Sequence, residues 1–142
     1  MKQFKYFALA MLVGTVAAIS FSSCKKGADD PVVSLVSRED RFANTWTLTK
    51  YEKNGVAQDL NGAKYMYSIY KSGTLTQLIE GTIFGFPTRK IENGTWRFLN
   101  DSEDVEITIK DVRTIYTIQR LASKELWLKK IEGTDTHIYY FE

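Results

Sequence analysis

From Asn44 to the end of the chain, short runs of Val, Ile, Thr, Tyr, Phe and Trp are cut apart by Gly, Asn, Asp and Ser, and no helical period is sustained. β-branched and aromatic residues suit a pleated, half-buried surface, whereas the separating residues suit tight turns. The stretch VEITIKDV shows the pattern most plainly. Val105, Ile107 and Ile109 alternate with Glu106, Thr108 and Lys110, so one face can be buried while the other stays wet. Such a strand belongs to an antiparallel sheet. The same reading places strands at about 44–53, 63–71, 74–81, 88–92, 94–100, 104–110, 114–121, 125–132 and 136–141, one short segment being part of its neighbour. Turns are expected at KSGT (71–74), NDSED (100–104), ASKE (122–125) and EGTD (132–135). A meander at this spacing must close on itself or split into two layers to hide its edges, so the expected fold is an all-β, antiparallel up-and-down barrel of about eight strands.

The first 43 residues have a different composition. Lys2 and Lys5 precede an apolar run of 13 residues, Phe7 to Ile19, and small residues follow up to Cys24. That order is the order of a secretory signal peptide, and the run is too short to span a bilayer as a helix. The FSSC that closes it resembles the lipobox of bacterial lipoproteins, in which the cysteine becomes the first mature residue and carries the acyl chains. A single cysteine can form no disulfide within the chain. The resemblance therefore makes residues 1–23 a signal peptide, Cys24 a lipid attachment site and the membrane a partner through that anchor. Residues 24–43 read as a tether containing a short helix, with Ser34 or Ser37 as its N-cap; Ser37 and Asp40 approximate a capping box. Residues 44–142 are the domain.

Removing Lys2 and Lys5 from the 19 basic side chains leaves 17, equal to the 17 acidic ones, and the charges are interspersed. A nucleic-acid partner is not expected of such a chain, because phosphate binding needs a basic surplus. No metal site or cofactor is expected either: a closed zinc site takes four Cys or His ligands, and the chain offers Cys24 and His137. No catalytic residue is assigned. His137 shares a strand face with Tyr139 and Phe141, no nucleophile motif such as G-x-S-x-G occurs, and Glu103, Asp104, Glu132 and Asp135 fall in turns where solvated charge is ordinary. Asn93-Gly94-Thr95 reads as a β-turn.

Longer motifs carry a second resemblance. NTWTLTKY (44–51), YKSGTL (70–75), NGTWRF (93–98), YTIQRLASKELWLKK (116–130) and the closing YYF run in the order W-x-L, Gly-turn hairpin, G-x-W, L-x-x-x-x-L-x-L. Together they resemble the small lipocalin-like lipoproteins of Gram-negative bacteria, over roughly Thr45 to Phe141. Asn44 stands where lipocalins open with the glycine of G-x-W, and the complete G-x-W here is Gly94 to Trp96. The resemblance implies an eight-stranded barrel whose interior holds side chains or one small ligand. It also implies a cell-envelope, outer-membrane protein facing the periplasm or the cell surface, binding a small hydrophobic or amphipathic ligand. The alternative is a non-catalytic module docked on an envelope protein partner.

Candidate ligand contacts follow from strand faces. Trp46 and Leu48, and Trp96 and Phe98, fall at i, i+2 spacing and are expected to point inward, as packing or as ligand contacts. Tyr65, Tyr67 and Ile69 form the more suggestive set, since a phenol offers a ligand both an apolar ring and a hydroxyl. Phe84 and Phe86 lie in LIEGTIFGFPTRK, an apolar stretch broken by glycines and a proline. It reads either as a portal at a barrel mouth or as a hairpin tip folded back over the core.

Overall fold

A computed structural model describes residues 27–30 and 35–142. Cys24 and the expected signal peptide lie outside the described residues. A five-residue helix, α1 (Arg38–Phe42), precedes nine strands: β1 (Thr45–Lys53), β2 (Val56–Gln58), β3 (Lys64–Ile69), β4 (Thr74–Ile83), β5 (Phe86–Leu99), β6 (Asp104–Ile109), β7 (Val112–Leu121), β8 (Leu126–Glu132) and β9 (Asp135–Phe141). Every pairing is antiparallel. β3 to β9 form a meander, and β1 closes it by pairing with β3 on one side and β9 on the other. The result is the expected up-and-down barrel of eight strands, with β2 as an extra strand on β1.

Three local features depart from the expectation. β2 arises because Asn54 and Gly55 both take positive φ, the type I′ turn that Asn-Gly favours, and fold β1 into a hairpin. The strands expected at 88–92 and 94–100 are one continuous strand, β5, so Asn93-Gly94-Thr95 is not a turn. Gly94 is there for clearance: a Cβ on it would lie 2.3 Å from the Thr108 carbonyl oxygen and 2.8 Å from Ile109 Cγ1. β5 needs this closeness to leave the β4 hairpin and begin its ladder with β6, whose last pair is Gly94 with Ile109. Finally, part of the stretch expected to be a tether packs on the barrel.

One end of the barrel is closed. Ser37 caps α1 by accepting a hydrogen bond from the Asp40 amide (3.0 Å), as its spacing suggested. The helix delivers Phe42, fully buried, onto Trp96 and Phe98 with ring centroids 4.8 and 5.3 Å apart. The Phe42 carbonyl accepts from the indole N–H of Trp46 at 3.0 Å. Around them Ile69, Leu75, Val105, Ile118, Leu121, Leu126 and Leu128 complete a core in the half of the barrel that the helix plugs. Outside, charges run across the strands: Glu106 on β6 pairs with Arg97 on β5 and Arg113 on β7, and the Arg97 hydrogen bond foremost holds its carboxyl below the usual range. The alternation of VEITIKDV thus serves both faces.

Residues 27–30 also bind this end. A bulge in β7 next to Gln119 leaves that carbonyl off the β8 ladder, and it accepts from the Asp29 amide at 2.9 Å. Asp30, buried, accepts from the amides of Leu121 (2.7 Å) and Gly27 (3.0 Å) and forms an ion pair with Arg38. Arg38 in turn donates to the Ser102 carbonyl at 2.7 Å. A buried carboxylate needs such partners, since an isolated one would be costly to desolvate.

Candidate functional site

The opposite half of the barrel is not filled. The β1–β3 ladder holds three pairs, Thr45 with Ser68, Trp46 with Tyr67 and Thr47 with Met66. Beyond them β1 bulges between Leu48 and Lys50 and follows β9 as far as Lys53, while on its other side it pairs with β2 rather than β3. The two strands therefore part. The loop carrying Asp59, Leu60 and Asn61 crosses the opening, and a cavity of about 420 Å³ lies behind it. That volume is within the range of small-molecule sites.

Its walls are aromatic. Tyr51 from β1, Tyr65 and Tyr67 from β3, and Tyr139 and Phe141 from β9 meet there, with Leu48, Met66 and Gln77 between them. The rings support one another: Tyr51 stacks on Tyr139 at 5.0 Å and on His137 at 5.9 Å, Tyr67 leans on Phe141 at 5.6 Å, and Tyr116 meets Tyr139 edge to face at 5.9 Å. Such contacts hold each ring plane and so preorganise the walls. Two hydroxyls have fixed partners: Tyr51 bonds to His137 Nδ1 at 2.7 Å, and Tyr67 accepts from Gln77 Nε2 at 3.1 Å.

The site is electrically quiet. Burial above all pushes the Tyr139 phenol up to about 12, with the neighbouring Tyr51 and Tyr67 phenols adding to it. Burial likewise raises Tyr67 against the opposing effect of its Gln77 bond. These phenols stay protonated at any physiological pH and can donate as well as accept. The lining holds one carboxylate, Asp59 at the loop, and neither Lys nor Arg. A bound carboxylate or phosphate would find no cation there; a neutral ring with hydrogen-bonding substituents would find stacking faces and hydroxyls.

The expected contacts divide into three groups. Tyr65 and Tyr67 line the cavity. Trp46, Ile69, Trp96 and Phe98 point inward as expected but belong to the packed half, around Phe42. Phe84 and Phe86 do not line the cavity; they sit at the tip of the β4–β5 hairpin, and neither folds back: they are 96% and 73% exposed. Tyr51, Gln77, Tyr139 and Phe141 line the cavity as well, beyond the contacts that the strand faces suggest. For Tyr139 and Phe141 a signal existed, their shared face with His137; for Tyr51 it was hidden by the bulge, which moves the inward face from even to odd positions along β1. No protein-family model matches the chain, and a search of curated proteins finds no match.

Proposed function

We propose that the protein is a lipid-anchored, non-catalytic lipocalin-like barrel of the bacterial cell envelope that binds one small, uncharged, amphipathic ring compound. The observation that carries this reading is the tyrosine-walled cavity behind the β1–β3 opening: a partly enclosed space of mixed aromatic and polar lining, with a few convergent hydroxyls and no basic residue. The signal-peptide pattern ending at Cys24 supports the anchor, and the resemblance to small Gram-negative lipoproteins supports the outer-membrane location. Two or three acyl chains, each methylene worth about 0.8 kcal/mol, suffice to hold a globular domain at a bilayer.

Native mass spectrometry of the protein gently extracted from its producing cells tests the reading. A stoichiometric small-molecule adduct, lost on Tyr67→Ala or Tyr139→Ala, is expected. Absence of any adduct, together with no thermal shift against a panel of neutral aromatic and lipid compounds, would sink it. A second reading, an accessory module docked on an envelope protein, is favoured by one observation: Ile83, Phe84 and Phe86 stand exposed together at the hairpin tip. Co-purification of a second protein that disappears on Phe84→Ser with Phe86→Ser would select it.

A further inference from the structure

Residues 27–30 shorten the leash between anchor and barrel. A free tether from Cys24 to α1 would let the domain tumble in any orientation above a membrane. Here the chain is held at Gly27–Asp30 by the Asp29 amide on the Gln119 carbonyl, the Asp30 carboxylate on the Leu121 amide, and the Asp30–Arg38 pair. Gly27 fits this seat because nothing larger does: a Cβ on it would stand 2.7 Å from the Gln119 carbonyl oxygen and 2.8 Å from Asp30 Oδ1. Two residues, Lys25 and Lys26, lie between Cys24 and Gly27, so three Cα–Cα steps span about 11 Å at full extension. The docked segment, Gly27–Asp30, lies at the closed end of the barrel. Leu35 is fully exposed and Val36 is 51% exposed, two aliphatic side chains just before Arg38, the ion-pair partner of Asp30.

We infer that the closed end of the barrel, with Leu35 and Val36 outermost, is a bilayer-contacting surface, and that the docked Gly27–Asp30 segment holds the cavity half and the aromatic hairpin pointing away from the membrane that carries the anchor. The inference rests on the proposal that Cys24 is lipidated. Along β1, Tyr51 stands about 17 Å of strand beyond Trp46, and along β4 the tip at Ile83 stands about 27 Å of strand beyond Leu75. With at most about 11 Å of slack, the closed end is the part of the barrel held at the bilayer, and a barrel standing on Leu35 and Val36 keeps both clear of it. Two consequences follow: the cavity exchanges its ligand with the aqueous compartment rather than with the host leaflet, and the Phe84–Phe86 tip faces outward from that leaflet.

The test uses the full chain, produced with its own signal peptide and recovered as the mature form in vesicles of phosphatidylethanolamine and phosphatidylglycerol that carry a headgroup spin label. With the Cys24 thiol acylated, a fluorophore is placed at Leu35→Cys or at Phe84→Cys. Loss of emission at position 35 and none at position 84 is expected. Introducing Asp30→Asn should shrink the contrast between the two positions. Equal loss at both, or greater loss at 84, overturns the orientation, and because the Asp30 form is compared with the intact seat, a folding defect in that variant does not obscure this outcome. The mass of the mature chain is read first. A chain without acyl groups overturns the anchor and the orientation together, whereas an acylated chain with no contrast overturns the orientation alone.

Discussion

Phe42→Ala separates a barrel that ends at Asn44 from one that includes its helical plug. The Phe42 side chain is fully buried, and its ring touches Trp96 and Phe98 at 4.8 and 5.3 Å between centroids. Truncation removes the transfer free energy of the ring and leaves a cavity between two aromatic neighbours that cannot close over it. Buried Phe→Ala changes of this kind cost about 3–5 kcal/mol, and each aromatic pair adds about 0.5–1.5 kcal/mol beyond its area. For a domain of roughly a hundred residues, each kcal/mol lowers the melting temperature by about 4 °C or more, so a fall of at least roughly 12 °C is expected. Equilibrium urea unfolding of the wild type and the variant measures the loss. Tryptophan emission should shift to the red, because Trp96 loses its cover. A residue in a loose tether would change stability by about 0.5 kcal/mol at most. A measured loss below about 1 kcal/mol, with unshifted emission, would refute the packing argument for α1.

Three further outcomes are expected. Gly94→Ala forces a methyl against a backbone carbonyl at 2.3 Å, which no side-chain rotation relieves; destabilisation at or above the upper end of the usual 1–3 kcal/mol for overpacking should appear in thermal melts. Phe84→Asn should act in the opposite direction, because Phe84 holds φ at 51° in a two-residue turn beside Gly85 and is 96% exposed, so it loses almost no burial; a gain of about 1 kcal/mol in urea unfolding is expected, and a loss would contradict it. Stability should also fall between about pH 10 and pH 12. Below the unfolded value near 10 both states hold the Tyr139 proton, but above it the unfolded chain releases a proton that the folded chain keeps until about 12, so the contribution is present at neutral pH and is lost as pH rises. Tyrosinate absorbance followed alongside unfolding would show a late-titrating phenol in the folded state; all eight tyrosines titrating together near 10 would contradict it.

Much of the fold is legible in the local pattern. The alternation at Val105, Ile107 and Ile109 names the inner face of β6, and Ser37 with Asp40 marks the start of α1. Asn54-Gly55 is a hairpin signal that the sequence carries openly. Other features invert their usual meaning. Asn93-Gly94 looks like a turn, yet its glycine serves the approach of β5 to β6; Phe84-Gly85 lacks the Asn that favours a type I′ turn, yet forms one with positive φ at both residues. Tyr65 and Tyr67 were readable as candidate contacts because two phenols share one strand face. Tyr51 was not, because a bulge between Leu48 and Lys50 shifts the face, and a bulge is set by the partner strand rather than by the bulged residues alone.

By itself, then, the sequence determined the class of the fold and the faces of most strands, because each depends on residues near one another in the chain. Only the tertiary structure decided where the barrel is full and where it is open. That depends on β1 dividing its pairing among β2, β3 and β9, and on α1 bringing Phe42 to Trp96 across more than fifty residues of chain. Pairing between distant segments is settled by packing and ladder hydrogen bonds formed together, and no window of local sequence contains them.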